Sequence, residues 1–302
     1  MQLLTRICTI TEESLRSLKS VLMMDIGIPK ALIVNLLSTQ AFDVCSELSI
    51  PADSFTTTHV SFFAFSLYFV ELDRTFEGDL ADLPEPIQVP GCSPLRIEDL
   101  LDQVRIRNSD EYKWFLFQVS RWRLADDILF NSWEDLEPVP LKAIRENPFF
   151  KSVTLPVYTV GPVIKQEEQD ESAAEYISWL DEQPPNSVLF VVLGSGGTLS
   201  GEHMIEFAWG LELSQKRFIW VVRKPTEVSS SGTFFNVGND TNSPEELFPE
   251  GFLEKTRGVG VLVPSWTSQV AVLRHPSTGG FISHCGWNST LESIVHGVPM
   301  IA

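Results

Sequence analysis

Apolar runs of strand length alternate with helix-spaced segments along the chain, the pattern of an α/β protein whose strands run parallel. Ala31-Leu-Ile-Val-Asn35 predicts a strand, and the segment from Thr39 to Ser46 predicts the following helix, with Ala41, Phe42, Val44, Cys45 and Leu48 as its apolar positions. Between Leu83 and Pro94 the prolines Pro84, Pro86, Pro90 and Pro94 exclude continuous helix and predict an extended surface loop. Asp127 to Asn131 and Val157 to Val160 read as further short strands. After Gly161-Pro162 the composition changes. Lys165-Gln-Glu-Glu-Gln-Asp-Glu171 is polar and acidic with nothing to bury, which divides the chain into a first domain, 1–164, and a second, 165–302.

The second domain opens with Ser187 to Leu193, a continuous apolar run typical of a strand covered on both faces, and the run ends in Gly194-Ser-Gly-Gly197. A helix from about Ser200 to Leu213 and strands at Arg217 to Val222 and Gly260 to Val263 follow, with a polar loop around Ser229 to Ser243 between the two strands. The last unit is a strand at Gly280 to Ser283, a turn, a helix from about Asn288, and a strand at Val298 to Ala302. A chain that stops inside an apolar strand leaves backbone groups unpaired, so the expectation is a piece of a longer protein.

Length and composition sharpen this picture. The chain has 302 residues, enough for two domains with real cores, and 43% hydrophobic with 21% charged residues is ordinary globular usage. The longest apolar stretch, Phe62 to Val70, is too short to cross a bilayer. A formal net charge of -18 repels phosphate backbones and anionic lipid, which argues against nucleic acid and membrane surfaces as partners. An anionic ligand must then be held by local geometry. Cys8, Cys45, Cys92 and Cys285 contain no C-x-x-C pair, which argues against a disulfide framework or a zinc knuckle and for a reducing, cytoplasmic setting.

The most informative stretch is Trp266-Thr-Ser-Gln269, then His275-Pro276, Gly279-Gly280 and His284-Cys-Gly-Trp-Asn-Ser-Thr-Leu-Glu292. A strand ending at Ser283 hands over to a helix near Asn288, so His284, Asn288 and Ser289 gather where free N–H groups and the positive helix end converge. A diphosphate fits such a place, and the turn Gly194 to Gly197, with Ser195 as a donor, offers a second cradle. Trp266 supplies a flat face for stacking a base, and Glu292 can accept hydrogen bonds from ribose hydroxyls. Each residue also has a plainer reading. Ser289-Thr-Leu-Glu292 satisfies the S-x-x-E capping box, a single Trp is usually core, a single His is usually a satisfied polar residue, and glycines after a strand often only turn the chain. The dinucleotide fingerprint needs a glycine where Leu199 stands, which argues against a nicotinamide-dependent oxidoreductase.

The run from Trp266 to Ala302 closely resembles the plant secondary product glycosyltransferase box, cut before its acidic and amide end. Ala31 to Asp43, Phe55 to Asp73, Asn131-Ser-Trp-Glu-Asp-Leu136, Val160-Gly-Pro162, Trp179-Leu-Asp181, Ser187 to Leu199 and Arg217 to Arg223 also resemble segments of this family of plant UDP-glycosyltransferases, most of all its hydroquinone and monolignol glucosyltransferase branch. The resemblance implies the α/β architecture called GT-B, two Rossmann-like domains with parallel sheets, both incomplete here. It implies an acceptor-binding first domain and a donor-binding second one. It further implies inverting transfer of glucose from UDP-glucose to a small phenolic acceptor by a monomer, with no metal and no cofactor, the UDP-sugar being a co-substrate.

By the same resemblance the donor-site residues are Ser195, Trp266, Thr267, Gln269, His284, Trp287, Asn288, Ser289 and Glu292, and Thr58 lies near the sugar. The family's base is a His near the N-terminus, and the chain begins after the point where it is expected; His59, His203, His275 and His296 do not fall in its motif. The Asp that orients that His maps onto Asn35, whose amide can accept a hydrogen bond but cannot stabilise an imidazolium by charge. Thr267 and Ser268 stand where Ala-Pro is more usual. These departures leave a second expectation open, a catalytically impaired or non-catalytic protein that binds a UDP-sugar or a phenol, and predict that the chain as written is inactive.

Overall fold

The computed structural model describes residues 3–24, 29–153, 155–166, 174–194, 199–223, 248–264 and 266–302. The expected polar loop at 229–243, most of the acidic stretch and the turn residues Ser195 to Gly197 lie outside the described residues. The chain divides into two compact units, Met1–Val163 and Ile164–Ala302.

The first unit is built on four strands, β1 (Leu32–Asn35), β2 (Ala52–Thr56), β3 (Ile128–Phe130) and β4 (Val157–Thr159). They lie in the order β1-β2-β3-β4, all parallel, so every strand exit falls on one edge of the sheet. Aromatic side chains fill the space between sheet and helices. Phe63 stacks on Trp122 with centroids 4.9 Å apart and meets Phe130 edge-on at 5.0 Å, all three fully buried.

The second unit contains β5 (Val188–Val192), β6 (Arg217–Val222), β7 (Gly260–Pro264), β8 (Thr278–Ser283) and β9 (Met300–Ile301), again parallel, in the order β7-β6-β5-β8-β9. The apolar run of β5 is explained by its central place. Val188 and Phe190 join one buried cluster, with Ile219 and Phe281, while Val191 joins another, with Phe218 and Trp220. Both faces of the strand are therefore covered, which is why no polar alternation interrupts it.

Several elements differ from the sequence expectation. Leu3–Leu22 forms a helix packed through Leu4, Cys8, Leu15, Leu18 and Leu22, although Thr and Ser are frequent in it. Thr9, Thr11, Ser14 and Ser20 turn their hydroxyls back onto carbonyls four residues earlier, so those groups do not break the helix. The first expected helix starts at Ala41 instead of Thr39, because the Thr39 backbone N–H and hydroxyl both donate to the buried Gln118 Oε1. The helix expected from Asn288 begins at Trp287, with Gly286 as its N-cap.

Candidate functional site

In the second unit the exits of β5, β7 and β8 carry the residues singled out above, on the edge where parallel α/β sheets form their crevices. Strand β7 ends at Pro264, whose carbonyl accepts from the Trp266 backbone N–H at 2.7 Å. The Trp266 side chain is 65% exposed. It is not a core tryptophan, and its ring faces remain open for stacking. Thr267, next to it, is buried, and its hydroxyl has no partner among the described residues.

Gln269 opens the helix Gln269–Arg274, which packs against the helix Trp287–His296. Its amide Nε2 donates to Ser289 Oγ at 3.0 Å and to Glu292 Oε2 at 2.7 Å. The capping box is thereby excluded. Ser289 is the third residue of its helix and not the N-cap, and Glu292 takes its hydrogen bond from a side chain of another helix. Burial pushes the Glu292 carboxyl above the usual range, with the Gln269 hydrogen bond pulling the other way. A carboxylate held by one oxygen in this manner can use its remaining acceptor capacity for a pair of neighbouring hydroxyls.

His284 follows β8 directly and keeps solvent exposure, yet its ring is wedged between two glycines. A Cβ on Gly194, at the exit of β5, would lie 2.5 Å from His284 Cε1, and a Cβ on Gly286 would collide with Nε2. Gly194 also has φ +82°, which favours glycine independently. The two glycines thus allow the imidazole to lie against the backbone of both turns. Desolvation against the two turns lowers its pKa from the ordinary value of 6.5, which favours the neutral ring. Asn288 is exposed and Trp287 half-buried in the first turn of the helix, whose N-cap Gly286 supplies no side-chain hydrogen bond. Ser195 lies outside the described residues.

In the first unit Asn35 is the exposed last residue of β1, and its Oδ1 accepts from the Leu37 backbone N–H at 2.9 Å. Thr58 is half-buried beyond the end of β2, and its hydroxyl, like that of Thr56, is buried without a partner among the described residues. An unpaired buried hydroxyl is costly and marks a place where a ligand or water completes the structure. Sequence reasoning missed the carboxylate beneath this turn. Glu137 accepts from the Val60 N–H and the Ser132 hydroxyl, both at 2.7 Å, and burial raises its pKa. It also missed Tyr176, whose hydroxyl accepts from the Ser268 N–H at 3.0 Å. The only sequence signal for Tyr176 was a phenol within an apolar helix stripe. The resemblance segments at Asn131 and Val160-Gly-Pro162 have a local cause. Asn131 Oδ1 accepts from the Val163 N–H, and its Nδ2 donates to the Val163 carbonyl.

No helix among the described residues is long and apolar enough to cross a membrane. A family model described as UDP-glucoronosyl and UDP-glucosyl transferase matches residues 147–302. A hydroquinone glucosyltransferase from Rauvolfia serpentina is 43% identical over 99% of this chain and 63% of its own length. An anthocyanidin 3-O-glucosyltransferase from Manihot esculenta is 44% identical over 91% of this chain and 56% of its own. The crystal structure of TcCGT1 in complex with UDP superposes with a TM-score of 0.90 at 48% identity, over 98% of this chain and 63% of that one. The chain therefore spans somewhat under two thirds of the length of the relatives it matches. Its two parallel-sheet units have the Rossmann-like build of the GT-B fold class, as the sequence led one to expect. The chain belongs to the UDP-glucoronosyl and UDP-glucosyl transferase family, within the plant branch that holds its hydroquinone glucosyltransferase relative.

Proposed function

We propose that the whole protein transfers glucose from UDP-glucose to the hydroxyl of a small phenolic acceptor, with the donor bound by the Ile164–Ala302 unit and the acceptor by the Met1–Val163 unit. The observation that carries the donor assignment is the Gln269 amide joining Ser289 and Glu292 beside an exposed Trp266. In this reading uracil stacks on Trp266 beside the Thr267 backbone, and Glu292, oriented by Gln269, receives the ribose hydroxyls. The diphosphate lies at the N-terminus of the helix Trp287–His296, within reach of His284, Asn288, Ser289 and the Gly194 turn with Ser195, while Trp287 closes the site. Helix dipole and backbone donors then hold an anion despite the net charge of -18. Thr58, whose hydroxyl has no partner among the described residues, serves the sugar in this reading. In transfer the phenolic oxygen attacks the anomeric carbon as UDP departs, and the phenolic proton passes to a base.

A second reading, a UDP-sugar or phenol binder without turnover, is favoured by Asn35, which occupies the orienting position with a neutral amide already engaged by Leu37. Both readings require UDP binding. Trp266→Ala should weaken UDP binding by roughly ten- to a hundredfold, since base stacking is worth ~1–3 kcal/mol, as measured by calorimetric titration. Unchanged affinity would remove the donor-site assignment.

A further inference from the structure

We infer that Tyr176 is a positioning residue of the donor site, whose phenol pins the loop that presents Trp266 and Gln269. The inference rests on the donor-site reading above. Tyr176 lies in the helix Ala174–Asp181, 5% exposed, in the apolar cluster of Leu180, Val188 and Phe190. A buried phenol hydroxyl is costly there unless it is hydrogen-bonded, and ring packing alone would be served by phenylalanine. Its partner is the backbone N–H of Ser268, 92 residues away in sequence and 3.0 Å away in space.

That N–H is the weak point of the loop. Strand β7 stops at Pro264, and the next helix starts at Gln269 with Ser268 as an N-cap that makes no side-chain capping bond. Neither element supplies an acceptor for the Ser268 N–H, which is partly shielded from water, and such a group left unpaired costs stability. Tyr176 supplies it. Trp266 stands two residues before the pinned amide and Gln269 one residue after. One hydrogen bond from the core therefore fixes the base-stacking face and the amide that orients Glu292 and Ser289. The neighbouring Thr267 is buried, and its hydroxyl has no partner among the described residues.

The test uses the 302-residue chain and UDP itself. Tyr176→Phe keeps the ring and deletes the acceptor, so UDP affinity should fall roughly two- to tenfold and the Ser268 amide should exchange with solvent faster. The amide of Val188 is the control, since it lies in the same apolar cluster and donates to the Ser277 carbonyl, not to Tyr176. Its exchange should stay unchanged in Tyr176→Phe while that of Ser268 speeds up. Equal UDP affinity of the parent and Tyr176→Phe would overturn the inference. Equal acceleration of the Ser268 and Val188 amides would overturn it too, since the effect would then belong to packing. The Ser268 exchange rate needs no ligand, so an unchanged rate in Tyr176→Phe refutes the pin whether or not UDP binds. A parent chain that binds no UDP overturns the donor-site reading instead.

Discussion

Asn35 ends β1 and folds its side-chain oxygen over the next turn to accept from Leu37. An aspartate makes the same bond, and an alanine does not. Asn35→Ala should therefore destabilise the chain by about 0.5–1 kcal/mol in urea unfolding, while Asn35→Asp should leave stability unchanged or raise it slightly. In a version extended to carry the base His, Asn35→Asp should raise turnover at least about tenfold with a weakly acidic phenol. Equal turnover of the two would show that this position does not orient the base. At this scale the sequence was informative where an unusual residue type met an unusual pattern. Trp266 was legible through its box, and its exposure now separates it from a core tryptophan. Tyr176 was not legible, because its role depends on a backbone N–H 92 residues away that no local pattern announces.

The helix Val60–Thr75 begins where two side chains take its first N–H groups. His59 Nδ1 accepts from Phe62 and Glu137 accepts from Val60. Removing the carboxylate by Glu137→Ala should cost about 1–3 kcal/mol by leaving the Val60 N–H and the Ser132 hydroxyl buried and unpaired. The charge itself behaves differently. Burial raises the Glu137 pKa above its ordinary value of 4.5. A raised folded-state pKa means that the folded chain binds the proton more tightly, so this group's contribution is fully present below pH 4.5 and is lost as pH rises through the folded value. The stability of the parent relative to Glu137→Gln should therefore decline as pH climbs from about 4 toward neutrality. A difference that stays flat across that range would show no such shift. Element by element, strands β5 to β8 were readable because each sends apolar side chains into the buried clusters on both faces of the sheet. Strand β2 was not, because its inward residues are Ala52, Ser54 and Thr56, small or polar side chains that carry no hydrophobic alternation. The helix Leu3–Leu22 was masked by hydroxyl residues whose side chains bond back to their own helix.

At the scale of the molecule the α/β class and the parallel sheets were legible, since alternating apolar runs and helical spacing leave few other architectures. The pairing order was not, because a sequence does not state which strand lies beside which. The donor residues, the Tyr176 hydrogen bond and two apolar clusters are all drawn from Ile164–Ala302. A shortened chain of residues 164–302 should bind UDP within about threefold of the whole chain in a calorimetric titration. A far weaker affinity would mean that the first unit contributes to the donor site. The strand order also sets a schedule for synthesis. Central β5 gains β6 on one side early, but its other neighbour, β8, ends at Ser283, 91 residues after Val192 leaves the ribosome. At a synthesis rate of ~5–20 residues per second, the far edge of Val188–Val192 waits roughly 5–20 s for its partner. An apolar strand edge left open for that long can pair with other chains, so this stretch of the nascent protein is where aggregation during translation should begin and where a chaperone should be needed most.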